Sequence, residues 1–160
     1  MGGLIGGEAR KLCEFHDLGK SLCGNVLGKG ITYAMATLET NASMGLIVAS
    51  PTAGSAGIVP GMMLALQEVY GFSDKKIGYL AMRNATVAGA VGGCQAEVGI
   101  ASAMAASAAV ELLGGTPLQC TYAASTVLMN MLGLVCDPVG GLVEYPCQNR
   151  NAAGVSNALI

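Results

Sequence analysis

The sequence predicts a single all-α domain, a compact bundle of helices rich in small residues. The chain has 160 residues, which is long enough for one domain with its own core. Hydrophobic residues make up 52% of it, yet aromatic residues make up only 4% and Trp is absent. A β-sandwich needs β-branched and aromatic residues, whereas plentiful Ala, Met and Gly suit closely packed helices.

Charge and hydropathy exclude several classes of protein. With a formal net charge of −2 and no basic patch, the chain is not expected to bind nucleic acid. Two uncharged stretches, 40–67 and 112–136, are long enough to span a membrane, but Gly and Pro interrupt both. Neither has basic flanks or interfacial aromatic residues, so they predict buried helices and no membrane association. The first residues do not resemble a signal peptide, which predicts a cytoplasmic protein.

Gly and Pro divide the first half of the chain into predicted elements. A short helix is expected over 8–15 and a loop over 24–30. The segment 50–57 is predicted to be a loop because of its Gly and Pro content. Pro60 is expected to open a helix that Gly71 ends.

The next predicted elements surround Cys94. Ser73 is a candidate N-cap for a helix over about 74–82. Three glycines just before Cys94 are expected to loosen the chain there. A helix rich in Ala and Ser follows over about 95–113.

The C-terminal third begins with a predicted capping box. Thr116 is the expected N-cap, Pro117 takes the first helical position and Gln119 the third, so a helix is predicted to about Leu132.

Two non-helical pieces are predicted after that helix. One is the turn-rich loop 136–141 and the other contains Pro146 and Cys147. A last helix is expected to begin near Asn149 and to continue past the end of the chain.

The cysteines are the clearest chemical signal, and they lie at positions 13, 23, 94, 120, 136 and 147. Without an export signal, metal binding or redox use is expected rather than disulfides. Cys94, Cys136 and Cys147 are expected in loops or at helix ends, where backbone N–H groups can bond the sulfides of an iron–sulfur cluster. Three thiolates would leave one iron of a cubane open to act as a Lewis acid. Their spacing alone fits three buried free cysteines better.

The remaining cysteines have simpler interpretations. Cys120 is predicted to lie in the core side of its helix. Cys13, His16 and Cys23 would form a metal site only with a fourth ligand, and none is near in the sequence. His16 is therefore predicted to be a surface residue.

Polar residues isolated in apolar surroundings are a second signal. They are Thr52, Ser55, Asn84, Gln95, Glu97, Asn130, Asp137, Glu144, Arg150 and Asn151. Buried polar groups need partners, so these residues either cap helices and satisfy loops or line a site for a small zwitterion. The loop 51–57 could offer N–H groups to a carboxylate, although an ordinary tight turn explains it equally well.

Six motifs occur in order along the chain. They are SMGLIVASPTAGSAG at 43–57, NAT at 84–86, GCQAEVG at 93–99, ELLGGTP at 111–117, LGLVCDPVGG at 132–141 and VEYPCQNRNA at 143–152. Together they strongly resemble the alpha chain, or alpha domain, of the iron–sulfur-dependent L-serine dehydratases. The resemblance is clearest from about residue 40 to the end.

The resemblance implies an all-helical catalytic domain over 1–160 with cofactor-binding loops. It implies that Cys94, Cys136 and Cys147 hold a [4Fe–4S] cluster. The implied reaction eliminates water from L-serine to give pyruvate and ammonia without pyridoxal phosphate, in amino-acid degradation and gluconeogenesis.

The candidate substrate-binding residues are Thr52, Ser55, Asn84 and Arg150. No general base is identified in this chain. The resemblance also implies a beta domain or beta subunit as partner, which could supply that base, and a homo-oligomeric enzyme. Family alpha chains extend further at both ends, so the domain is expected to be incomplete there.

Two alternatives remain open at this point. One is an L-cysteine desulfidase-like lyase, whose chains share similar cysteine motifs and eliminate sulfide. The other is a non-catalytic helical module, or a membrane-embedded bundle, with structural cysteines.

Overall fold

The computed structural model describes residues 4–77 and 89–160, apart from the side chains of residues 89–91. Its helices are α1 (Glu8–Asp17), α2 (Asn25–Ala42), α3 (Ile58–Tyr70), α4 (Gly89–Leu112), α5 (Pro117–Met131) and α6 (Glu144–Ala158). A 3₁₀ turn lies at Ala53–Ser55, and residues 74–77 form a helical turn. Within these ranges the only β feature is an isolated bridge between Val139 and Leu142. The prediction of an all-α fold is confirmed.

The helix predicted over 8–15 is confirmed as α1, but the loop predicted over 24–30 is wrong. α2 begins at Asn25, with Gly24 as its N-cap, and includes Gly28 and Gly30. A Cβ on Gly28 would lie 2.4 Å from Nδ1 of His16, so this glycine lets α1 pack on α2. His16, predicted at the surface, is partly buried by this contact.

α2 and α3 cross with their backbones almost in contact. A Cβ on Gly61 of α3 would lie 2.7 Å from the carbonyl oxygen of Gly30 in α2. A Cβ on Gly57 would lie 2.3 Å from the carbonyl oxygen of Ala34. Real Cβ atoms do not approach so closely in packed interiors, so both positions need glycine for the helices to reach this distance.

α3 ends as predicted, at Gly71. This residue has φ 73°, and its N–H donates to the carbonyl oxygen of Gln67 at 2.7 Å. The helix begins at Ile58, slightly before Pro60, so the proline lies in the first turn, where its missing N–H costs no hydrogen bond.

α4 contains the predicted break. Gly93 has φ 69° and ψ −166°, which interrupts the helix immediately before Cys94. The helix then continues to Leu112, close to the predicted end. Of the helix predicted over 74–82, the structure describes the turn at 74–77, and the rest lies outside the described residues.

The capping box of α5 is confirmed. Thr116 Oγ1 accepts a hydrogen bond from the Gln119 N–H at 3.3 Å, and Gln119 Oε1 accepts one from the Thr116 N–H at 2.8 Å. Pro117 occupies the first helical position, where it has no N–H to satisfy.

The predicted non-helical state of Pro146 and Cys147 is wrong, because α6 begins at Glu144 rather than near Asn149. A proline within the first turn does not break a helix, since the N–H at that position has no partner in the helix. α6 also ends at Ala158 rather than continuing past the chain end.

The core lies where α4 and α6 meet α2 and α3. α2 packs on α1, α3 and α6, and α4 packs on α3, α5 and α6. Large buried side chains come mainly from α3, whereas α4 contributes many alanines. Small residues on α4 allow close approach, so α4 and α6, the helices that carry Cys94 and Cys147, lie side by side.

The described surface includes one extended apolar segment. Between α2 and the 3₁₀ turn the chain has no regular structure, and Met44, Leu46 and Val48 are almost fully exposed. Among the helices described, none combines the length and apolar character that crossing a membrane requires.

Candidate functional site

Cys94 is buried at the point where α4 restarts after its break. The next residue, Gln95, fixes the loop between α5 and α6. Its N–H donates to the carbonyl oxygen of Leu134 at 3.0 Å, and its Oε1 accepts from the Gly133 N–H at 3.0 Å. These two bonds hold the loop that carries Cys136 against the start of the restarted helix.

The same loop is tied to α6 by an ion pair. Nη2 of Arg150 lies 2.9 Å from Oδ1 of Asp137. Asp137 follows Cys136 directly, and Arg150 lies one turn after Cys147 on the same helix face. The pair therefore draws these two cysteines to the same side of the molecule.

Asn151 joins the 50–57 loop to the first turn of α6, and it is fully buried. Its Nδ2 donates to the carbonyl oxygens of Gly54 and Cys147, both at 2.7 Å. Its Oδ1 accepts from the Gly57 N–H at 3.0 Å. All the hydrogen bonds of this amide thus serve to fix the loop beside Cys147.

The three predicted cluster cysteines share one electrostatic environment, although they come from two helices and a loop. Burial raises the pKa of the Cys94 thiol; Arg150 lowers it, and Cys136 and Glu97 raise it. Burial raises the pKa of Cys147 to about 11, with further increases from Glu97, Cys94 and Cys136 and a decrease from Arg150. Gln95 ties the segments of Cys94 and Cys136 together, and the ion pair of Arg150 with Asp137 ties those of Cys136 and Cys147. Cys136 is the exposed member of the set.

Glu97 belongs to this site, although the sequence argument gives it no specific role. Thr52 Oγ1 donates a hydrogen bond to Glu97 Oε1. A Cβ on Gly54 would lie 2.7 Å from the same oxygen, so the loop backbone lies directly against the carboxylate. The available signal is that Glu97 lies one turn after Cys94 on a helix whose only other charged residue is Glu111.

The residues predicted to bind substrate occupy different environments. Thr52 and Arg150 are partly buried and close to the cysteine site. Ser55 is fully buried, and its hydroxyl oxygen lies 3.0 Å from Thr52 Oγ1 and accepts from the Thr52 N–H at 3.4 Å. Ser55 therefore stabilises the 50–57 loop through contacts inside it. Asn84 lies outside the described residues.

The other cysteines do not assemble into a site. Over 4–77 and 89–160, no three His, Cys, Asp or Glu side chains are placed to hold one metal ion together. Cys13 is exposed beside Asp17, and the His16 ring packs on α2. Cys120 is buried on the core side of α5, as predicted.

The donor set of Cys94, Cys136 and Cys147 fits a cluster of several irons better than a single ion. Thiolates are the usual ligands of such clusters, and each binds a different iron, so the sulfur atoms need not meet at one point. Within residues 4–77 and 89–160, the buried Nη1 of Arg150 has no hydrogen-bond partner, which leaves a donor for an anionic group at this site.

Comparison with known proteins shows the family of the chain. The family described as "Serine dehydratase alpha chain" matches residues 1–160. The "L-serine dehydratase, alpha chain" of Peptoniphilus asaccharolyticus is 52% identical over 98% of this chain and 57% of its own length. The "Probable L-serine dehydratase, alpha chain" of Bacillus subtilis is 52% identical over 99% of this chain and 56% of its own length. The Escherichia coli "L-serine dehydratase TdcG" is 40% identical over 79% of this chain and 30% of its own length.

These matches cover nearly all of this chain but only part of its relatives. The chain spans a little over half the length of the two alpha chains. Since the family matches every residue and half of the aligned positions are identical in two relatives, the chain belongs to the serine dehydratase alpha chain family.

Proposed function

We propose that this chain is the iron–sulfur catalytic domain of an L-serine dehydratase. What carries the proposal is membership of this family, together with contacts that tie the segments of Cys94, Cys136 and Cys147 to one another. These cysteines come from α4, the α5–α6 loop and α6. Gln95 bonds α4 to the loop, and the ion pair between Arg150 and Asp137 bonds the loop to α6.

The proposed reaction is a β-elimination. The Cα proton and the Cβ hydroxyl group of L-serine leave as water, and the remaining 2-aminoacrylate is hydrolysed, through its imine form, to pyruvate and ammonia. When bound, a [4Fe–4S] cluster held by three thiolates would supply an iron with an open position, a Lewis acid for the departing hydroxyl.

The residues of this chain would bind and orient the substrate. Arg150 is the candidate for the substrate carboxylate, because its Nη1 is buried and unpaired while Asp137 fixes the rest of the guanidinium. Thr52 is a second candidate for substrate binding. The Ser55 hydroxyl contacts the Thr52 hydroxyl within the 50–57 loop. Asn84 remains a predicted substrate-binding residue.

The proposal includes a partner. The names of the Peptoniphilus and Bacillus relatives describe alpha chains, which supports a beta chain or beta domain that completes the enzyme. The general base belongs to that partner in this proposal. The cytoplasmic location and the homo-oligomeric state expected from the sequence are part of the same proposal.

The test is anaerobic reconstitution with iron and sulfide, followed by counting of both and a visible spectrum. We expect close to four irons per chain, and loss of the cluster in Cys94→Ala, Cys136→Ala and Cys147→Ala. Cys120→Ala is the matched control, because it removes a buried thiol outside the site. Equal iron content in all four variants would contradict the ligand assignment.

Activity is then measured on the reconstituted protein together with its beta component. Pyruvate formed from L-serine, without sulfide release from L-cysteine, is the expected result. Sulfide release as the main activity would replace the proposed substrate with L-cysteine.

A further inference from the structure

The hydrogen-bond chain at Thr52 has a defined direction. A hydroxyl group carries one proton, and Thr52 gives its proton to the carboxylate of Glu97. Ser55 Oγ lies 3.0 Å from Thr52 Oγ1, and its own proton can also go to the Ser50 carbonyl oxygen at 3.4 Å. Thr52 therefore has no proton left for a ligand and faces one only as an acceptor.

The site contains two side chains of opposite charge. Glu97 accepts from Thr52 of the 50–57 loop, and Arg150 pairs with Asp137 of the α5–α6 loop. Glu97 is partly buried and lies against Gly54, whose carbonyl accepts from Asn151, the neighbour of Arg150 on α6. Among the described residues, the buried Nη1 of Arg150 has no hydrogen-bond partner. A carboxylate and a guanidinium at one site match a zwitterion.

We propose that Glu97 and Thr52 form the ammonium-binding end of the site, opposite Arg150. The inference rests on the proposed function and adds to it the way in which an amino acid is distinguished from a simple hydroxy acid. A protonated amine has three donors and no acceptor, so it complements a carboxylate beside a hydroxyl that can only accept. Rejection of the des-amino analogue follows, because that ligand would leave the negative charge of this carboxylate uncompensated.

The test compares two ligands that differ only in the amine. L-serine and 3-hydroxypropionate share the carboxylate and hydroxyl groups, and calorimetry on the anaerobically reconstituted enzyme, with its beta component, measures the affinity of each. In Glu97→Gln the amide oxygen still accepts from Thr52 while the negative charge is lost. We expect about 10- to 100-fold weaker binding of L-serine and a change of less than about twofold for 3-hydroxypropionate.

Further variants separate charge from loop structure. Glu111→Gln is the matched control near the other end of the same helix and is expected to change neither affinity. Thr52→Val should weaken L-serine selectively, and Thr52→Ser, which keeps the hydroxyl, should restore it. Iron content and the far-UV circular dichroism spectrum check that each variant retains its cluster and fold.

The outcomes are distinguishable. Equal weakening of both ligands by Glu97→Gln, or no effect on either, would overturn the ammonium site and leave the proposed function standing. Absence of L-serine binding by the unmodified enzyme would overturn the proposed function and this inference with it.

Discussion

At the scale of single residues, the site gathers acidic groups around one cation. Burial raises the pKa of the Cys94 and Cys147 thiols and so keeps them protonated, while Arg150 lowers both pKa values. Perturbed pKa values of this kind are common at functional sites.

The Cys147 thiol makes the stability of the cluster-free protein depend on pH. Its pKa is about 11 when folded, against 9.0 for the ordinary thiol, so between these values the unfolded chain releases a proton that the folded chain keeps. The contribution of this thiol to the free energy of unfolding is therefore complete below pH 9 and is lost as pH rises towards 11. Urea unfolding under reducing conditions should show a loss from pH 8 to pH 10 about 1 kcal/mol larger than in Cys147→Ala. Equal losses in the two proteins would contradict the raised pKa.

Asn151 should be among the most sensitive polar positions. Asn151→Ala leaves the Gly57 N–H and the Gly54 carbonyl buried without their partner, which should cost about 2 to 3 kcal/mol in urea unfolding. Asn149→Ala is the control on the same helix, since that side chain is exposed and bonds only the Tyr145 carbonyl. A cost below about 0.5 kcal/mol is expected there. Similar costs at both positions would show that the bonds from Asn151 to the 50–57 loop contribute little to stability.

At the scale of elements, local signals set the helix boundaries where side chains satisfy backbone groups. The clearest case is α5, whose first turn is closed by a reciprocal pair of bonds between Thr116 and Gln119. This helix packs mainly on α4, and its cap satisfies N–H groups that have no acceptor within the helix.

Replacing the N-cap tests that view. Thr116→Ala should lower the free energy of unfolding by about 1 kcal/mol, because the Gln119 N–H at the helix start loses its acceptor. Thr121→Ala is the matched control within the same helix, as its hydroxyl bonds the Pro117 carbonyl and the residue is exposed. Its effect should stay within about 0.5 kcal/mol. The reverse ranking would show that the cap is not the stabilising feature.

Prediction from sequence succeeded at caps and breaks and failed at close contacts. The Thr116 box, the stop at Gly71 and the break at Gly93 depend on backbone chemistry within a few residues. Gly28 and Gly30 resemble loop residues in the sequence, but they are required by neighbours distant in the chain. That requirement comes from tertiary contacts, so no local sequence pattern reveals it.

The candidate site also has features that the sequence predicts and features that only the fold reveals. Cysteine placement beside Gly and Pro, together with the family motifs, was enough to nominate Cys94, Cys136 and Cys147. The role of Glu97 depends on which loop lies against it, and only the fold places Thr52 and Gly54 there.

At the scale of the whole molecule, a few polar residues join elements that hydrophobic packing alone would not orient. Glu39 in α2 is the clearest example. Its Oε1 accepts from the Ala9 N–H at the start of α1 and from Nε2 of Gln148 in α6, each at 2.9 Å. One carboxylate thus connects three helices.

Removal of the Glu39 carboxylate should lower the stability of the whole fold. Glu39→Ala leaves the amide of Gln148, which is 1% exposed, without its partner, and about 2 kcal/mol of stability should be lost in urea unfolding. Glu14→Ala removes an exposed carboxylate paired with Arg10 within α1, and should change stability by less than about 0.5 kcal/mol. A neutral Glu39→Ala variant would mean that packing alone positions α1 and α6.

The glycine crossing of α2 and α3 has a consequence for hydrogen exchange. No side chain separates the two backbones at Gly30 and Gly61, so no small rearrangement admits solvent between them. Their amides can exchange only when α2 and α3 separate, and that separation requires the core to unfold. Deuterium should therefore enter here at the rate of global unfolding, whereas the exposed amides of 46–49 should be labelled at the earliest time measured. The slowest and fastest regions of the molecule would then lie at opposite ends of α2.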